Sequence, residues 1–254
     1  MAENKENKFP TEVIDLPSKG LLYPPDSPLS SGKIELKYMT AREEDILTSQ
    51  NLIKKGVVID KLLEALIVSD GVKIDDLVTG DKNAIMVAAR VLAYGPEYEV
   101  ELTNQYTDEK FPYTFNLTDC PFKETPSDID YSTGTFKAEL PVSKANIEFK
   151  LLTGIDEKSI AREIKARKKI GVESPEVTTR LKYTIVSING EEDRSKINDF
   201  VDNQLLSRDS LYLRTKIKEY APDIDLTQEV EMEGQMVEVN IPLTIEFFWP
   251  STSR

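Results

Sequence analysis

Residues 33–45, Lys-Ile-Glu-Leu-Lys-Tyr-Met-Thr-Ala-Arg-Glu-Glu-Asp, return in altered form at 146–157 as Asn-Ile-Glu-Phe-Lys-Leu-Leu-Thr-Gly-Ile-Asp-Glu. Ile34-Glu35-Leu36-Lys37 and Ile147-Glu148-Phe149-Lys150 alternate apolar and charged side chains with the period of a half-buried strand. Thr40 and Thr153 follow, each leading into an acidic stretch suited to the positive end of a helix, and Glu43 completes a capping box with Thr40. Two more segments recur in the same order. Ile67-Val68-Ser69-Asp70-Gly71 returns as Ile185-Val186-Ser187 with Asn189-Gly190 just after, and Tyr94-Gly95-Pro96-Glu97 returns as Tyr220-Ala221-Pro222-Asp223. The spacing drifts only between helices, where insertions are tolerated. Ordered agreement at three places predicts an α+β chain of two tandem, internally duplicated halves. Each half should contain a strand, several helices and a β-hairpin, and an extended Pro-rich N-terminal arm should precede both.

In the first half the strand at 33–39 leads into a helix that runs from Thr40 to about Lys55 and is closed by Gly56. Val58, Leu62, Leu63, Leu66 and Ile67 give a second amphipathic helix, and Asp81 is placed to cap a third that buries Ile85, Val87, Ala88, Val91 and Leu92. Residues 98–102 and 111–117 alternate around a polar turn and read as a hairpin; residues 224–233 and 235–245 read as its counterpart. The expected units are an arm at 1–32, a first repeat at 33–119, a linker at 120–134 rich in Pro, Asp, Ser and Thr, and a second repeat at 135–254. Within the arm, Pro10, Pro17, Pro24, Pro25 and Pro28 forbid a helix, while Val13, Ile14, Leu16, Leu21, Leu22 and Tyr23 give it apolar surface to lay on a partner or on the protein itself.

Composition narrows the chemistry. The 254 residues carry 45 acidic against 32 basic side chains, a formal charge of −13, which disfavours nonspecific binding to nucleic acid or anionic lipid. No histidine is present, which removes imidazole acid–base work, His-activated nucleophiles and His-containing zinc sites. Cys120 is the single cysteine, and a buried or linker thiol is the expected role for it. The N-terminal ten residues lack the apolar run of a signal peptide, and no later run approaches a bilayer span. Asp70–Asp81 has the length of a calcium loop, but Val72, Ile74 and Asp75 stand where ligands or glycine are required. Asp128 and Asp130 lack further ligands, and the basic cluster Arg162, Lys165, Arg167, Lys168 and Lys169 reads as the basic end of a helix or a contact for an acidic partner. Phosphate-binding glycine loops are absent. At the C-terminus, Phe247-Phe248-Trp249-Pro250 gathers three large aromatics, either to cap the protein's own core or to anchor a partner.

The succession of Leu16-Pro17-Ser18-Lys19-Gly20-Leu21-Leu22-Tyr23-Pro24, Ile34 to Thr40, Tyr94-Gly95-Pro96, Ile241-Pro242-Leu243 and Phe247-Phe248-Trp249-Pro250 resembles the T-even-type bacteriophage baseplate hub assembly proteins over nearly the whole chain. The resemblance implies a non-enzymatic role in building the hub of a contractile tail, in the host cytoplasm during assembly and in the virion tail baseplate if the protein is retained. The alternative is a transient tail assembly chaperone absent from the mature virion, and a carboxylate-based metal enzyme is a third reading. Relatives in that family often carry Cys-x-x-Cys zinc knuckles in the ribbons. Here Asn104 and Thr107 stand at those positions and residues 229–237 contain no cysteine, so no metal and no cofactor is expected. The expected partners are other phage baseplate or tail proteins, with no nucleic acid, membrane or small-molecule substrate. The candidate partner-binding residues are Leu21, Leu22, Tyr23, Phe247, Phe248 and Trp249.

Overall fold

The computed structural model describes residues 10–169, 171 and 175–249. Pro250 of the C-terminal aromatic stretch lies outside them, as do the first nine residues of the arm. The chain is α+β, with small antiparallel sheets set among helices. Strand β1 (Thr11–Asp15) pairs with β2 (Lys33–Lys37), Ile14 opposite Ile34. Between them the proline-dense segment bends back through a 3-10 turn, Pro28–Ser31, and buries Leu16 and Leu29.

The single helix expected to reach Lys55 is two, α1 (Ala41–Thr48) and α2 (Gln50–Lys55), because Ser49 adopts an extended conformation between them. The Thr40–Glu43 cap is present: the Glu43 carboxylate accepts the Thr40 backbone N–H at 3.0 Å and the Lys37 ammonium at 2.8 Å. Burial opposes ionisation there, yet the Lys37 and Thr40 hydrogen bonds prevail and hold the Glu43 carboxyl at about 2. After α3 (Val58–Leu66) comes α4 (Thr79–Tyr94), which Val78 caps. Asp81 is thus not the cap: it sits in the first turn with its carboxylate turned to the arm. Strands β3 (Glu97–Thr103) and β4 (Lys110–Asn116) form the first ribbon.

In the second half β5 (Phe136–Glu139), β6 (Asn146–Phe149) and β7 (Ile185–Ile188) make a three-stranded sheet in that order. Helix α5 (Gly154–Lys169) and α6 (Glu176–Thr184) lie between β6 and β7 in sequence; α7 (Arg194–Asp199), which runs on into a π-helical turn, and α8 (Ser207–Tyr220) follow β7. The second ribbon is β8 (Thr227–Met232) with β9 (Gln235–Asn240), and its ladder stops short of Ile241, Leu243 and Ile245, to which alternation alone extends it.

Local arrangements recur between the halves. Lys150 reaches Asp156 at 2.8 Å and Thr153 N–H bonds the same carboxylate at 3.1 Å, as Lys37, Glu43 and Thr40 do. At the third residue of α8, Asp209 accepts the backbone N–H groups of Val142 and Ser143, as Asp81 at the third residue of α4 accepts that of Ser18. Lys19 and Lys144, which follow these donors, both take left-handed backbone angles.

Two hydrophobic cores result, and their membership crosses the order of the chain. One gathers Leu16, Ile34, Leu62, Ile85 and Phe115 from the first half together with Val230, Met232, Ile241, Phe247 and Phe248 from the C-terminal end. The other holds Phe136, Ile147, Phe149, Ile185 and Leu213, with Leu22 of the arm packed against it. Their junction is tight. Gly154 N–H bonds Leu77 O at 3.0 Å, Val78 bridges to Thr153, and Asp60 receives ammonium groups from both Lys82 and Lys158.

Candidate partner-binding site

Three surfaces compete for the role: the arm, the C-terminal aromatics and a cleft between the cores. In the arm, Ser18 donates its backbone N–H (2.9 Å) and hydroxyl (2.6 Å) to the fully buried Asp81 carboxylate, and the Tyr23 hydroxyl donates to it at 2.6 Å. The Tyr23 oxygen in turn accepts the Val78 N–H at 3.1 Å, satisfying a donor at the buried start of α4. Burial raises the Asp81 carboxyl against the pull of these donors, and burial followed by the Asp81 charge pushes the Tyr23 phenol up. The arm is therefore clamped to α4 by a polar network, with Tyr23 committed to it. Leu22 is half-buried against the second core, and only Leu21, 54% exposed, faces outward. Replacing Tyr23 by phenylalanine should lower stability by about 1–3 kcal/mol, because Asp81 loses a donor and Val78 N–H its acceptor. An unchanged melting temperature for Tyr23→Phe would show that this network carries no load.

The aromatics divide in the same way. Strand β9 ends at Asn240, and a 3-10 turn, Ile245–Phe248, folds Phe247 and Phe248 completely into the first core. Phe247 packs on Tyr98 with ring centres 5.1 Å apart and on Phe248 at 5.6 Å. Its carbonyl accepts Arg90 Nε at 3.1 Å. Arg90, itself buried, also bonds the carbonyls of Gly95 and Glu97 and lies against the Tyr94 and Tyr98 rings. One guanidinium thus ties the end of α4, the root of the first ribbon and the C-terminal turn together. Trp249, 48% exposed, is the aromatic left for a partner.

The cleft was not foreseen. It has a volume of about 520 Å³, and its apolar walls come from Leu152, Val177, Leu181 and Ile217, with the start of α4 and Pro222 closing one end. An Arg180–Glu157 ion pair crosses one wall. On the opposite rim Arg214 and Lys218 are exposed, and neither makes an ion pair with a described residue. Nothing in the spacing of α6 or α8 reports that their apolar faces meet incompletely; the one available signal was the density of basic residues on both.

Charge is segregated. Residues 222–249 contain Asp223, Asp225 and five glutamates but no Lys or Arg, and residues 97–119 contain six acidic side chains against Lys110 alone. Nearly all of the net charge of −13 therefore resides in these two segments, the ribbons with their flanking residues, while α5, α6 and α8 together carry twelve basic and six acidic residues. The ribbons lie side by side, joined near their roots by Gln228 bonding Asn116 O at 3.2 Å and at their tips by Tyr106 bonding Gln235 at 2.6 Å. In the turn of the first ribbon Asn104 is buried and accepts Tyr106 N–H at 2.9 Å. Among the described residues no group of three or more His, Cys, Asp or Glu is arranged to hold a metal ion, and no helix is long and apolar enough to cross a membrane. Cys120 is buried, and burial raises its thiol.

A family model described as T4 bacteriophage base plate protein matches residues 12–249. No curated protein and no solved structure matches the chain. The match takes in both cores, both ribbons and the arm from its first strand onward, and the chain belongs to the T4 bacteriophage base plate protein family.

Proposed function

We propose that this protein is a component or assembly factor of the baseplate hub of a contractile phage tail, acting without catalysis through contacts with other tail proteins. The observation that carries the reading is the family match along residues 12–249. The absence of histidine and the single buried cysteine support the non-enzymatic part, because the usual nucleophile and acid–base pairs cannot be assembled from this composition. Acidic ribbons oppose contact with a phosphate backbone. Leu21 and Trp249 are the contact residues of choice, since each is large, apolar and about half exposed beside a firmly packed neighbour. We read the two halves as copies of one ancestral unit, supported by the matching Lys–Thr–acid and loop–helix carboxylate arrangements, with the arm's first strand belonging to the first copy.

The test is recovery of the tagged protein from infected cells. Other baseplate proteins should copurify, and Leu21→Asp combined with Trp249→Ala should weaken that recovery by tenfold or more while shifting the melting temperature little. Recovery of no tail protein, or a loss fully explained by unfolding of the variant, would count against the reading. Quantifying the protein in purified virions separates a resident hub component from a transient chaperone.

A further inference from the structure

Strand β1 is the open edge of its sheet. The bonds from Tyr38 N–H to Pro10 O at 3.2 Å and from Leu16 N–H to Gly32 O at 2.8 Å fix the phase of its ladder, so Glu12 and Ile14 turn their backbone groups to β2. The N–H and C=O groups of Thr11, Val13 and Asp15 therefore point away from β2, and none has a partner among the described residues. The same edge exists in the second half, where Thr135 bonds Glu148 at 2.7 Å as Thr11 bonds Glu35 at 2.5 Å. There the residue opposite the glutamate is Lys137; in β1 it is Val13. Lysine on an exposed edge discourages pairing with another chain, whereas an exposed apolar residue invites it, and Val13 is 58% exposed.

We propose that β1 takes on a strand from another protein: an extended segment pairs antiparallel with Thr11–Asp15, with an apolar side chain against Val13 and a Lys or Arg opposite Glu12. That the occupant is a strand follows from the edge itself, whose donors and acceptors recur at every second residue and are matched by the backbone of another strand. Its charge follows from Glu12. Asp15 is held by Lys33 at 3.0 Å, whereas Glu12 is exposed and makes no ion pair with a described residue. A second copy of this chain fits less well. Pairing two β1 strands about Val13 sets their Glu12 side chains diagonally across the ladder, and each copy brings a net charge of −13. The inference deepens the contact role proposed above and rests on that reading only for the partner's being a tail protein. Strand addition itself is tested with a peptide, so the two fail separately.

The probe is the acetylated and amidated peptide Thr-Val-Ile-Lys-Thr, whose isoleucine faces Val13 and whose lysine faces Glu12 in that register. Added at millimolar concentration to the isotope-labelled full chain, it should shift the amide resonances of Thr11, Val13 and Asp15 and slow their hydrogen exchange. The Glu12 and Ile14 amides, already bonded to β2, should be protected with or without it. The same peptide N-methylated at its isoleucine and both threonines should not bind, because it keeps the side chains and loses the donors. Glu12→Lys should weaken binding about fivefold, and a peptide with glutamate in place of the lysine should recover it. Val13→Lys should weaken binding likewise. Both positions are exposed, so both variants should melt with the parent. No response at the three amides overturns the proposal. So does equal binding of the methylated peptide, and so does slow exchange at those amides in the free chain, which would mean that the edge is already covered. Sedimentation showing a dimer that Val13→Lys dissolves would also overturn it, by assigning the edge to a second copy.

Discussion

Truncating Phe247 to alanine is expected to cost about 3–5 kcal/mol of stability, the range for a large aromatic removed from a closed core. Its ring is wholly inaccessible, touches Tyr98 and Phe248, and lies on the first core far from its position in the chain. Collapse around the void is hindered, because the backbone there is held by Arg90 through the Phe247 carbonyl. For a chain of this length the loss corresponds to a melting temperature lower by roughly 10 °C. Trp249→Ala, two residues on and half exposed, should change stability far less, so the pair read in one calorimeter separates core from surface. Equal losses at the two positions would mean that Trp249 is also structural and would remove the C-terminus from the candidate contact residues.

That contrast shows how far the sequence could be read. Strands β2, β3, β4 and β6 were legible because alternation with period two needs no knowledge of the partner surface. Helix α3 was legible from the helical spacing of its apolar residues, which likewise needs no partner surface, and its burial of Leu62, Leu63 and Leu66 follows that spacing. What periodicity cannot supply is the identity of the opposing face. The aromatic cluster looked equally suited to a core or a partner because both reward the same residues. The crossing of the C-terminal ribbon onto the first core has no local signal at all. Asp81 was misplaced by a few positions for a related reason: an acidic residue near a helix start suits both a cap and a first-turn carboxylate, and the long-range donors Ser18 and Tyr23 decide between them. Arg90 is a stronger clue in retrospect, a lone cation inside an apolar helical run, but its acceptors are carbonyl groups, which every sequence contains. Of the candidate contact residues, Leu21 and Trp249 stand on the surface, while Tyr23, Phe247 and Phe248 are occupied within the protein.

The junction of the two cores gives a prediction whose sign opposes the usual rule. Alanine in place of glycine near the start of a helix ordinarily gains up to about 1 kcal/mol. Gly80→Ala should instead cost about 3 kcal/mol, the upper end for overpacking. A Cβ built on Gly80 would stand 1.8 Å from Pro222 O and 2.8 Å from Asp223 Cα, and both obstacles are backbone. No rotamer change relieves that overlap, so either α4 or the segment leading into the second ribbon must move. Movement of α4 pulls Asp81 from Ser18 and Tyr23; movement of Pro222 and Asp223 disturbs the Asp223–Asn83 hydrogen bond and the strand-like contact of Ile224 with Phe122. Either route loosens one core from the other, and denaturant unfolding of Gly80→Ala should begin at lower concentration and over a broader range than in the parent. A variant as stable as the parent, or more stable, would mean that α4 and the Pro222 segment are not in contact, and with that the shared core that seats the C-terminal ribbon on the first half would be lost as an explanation of the fold.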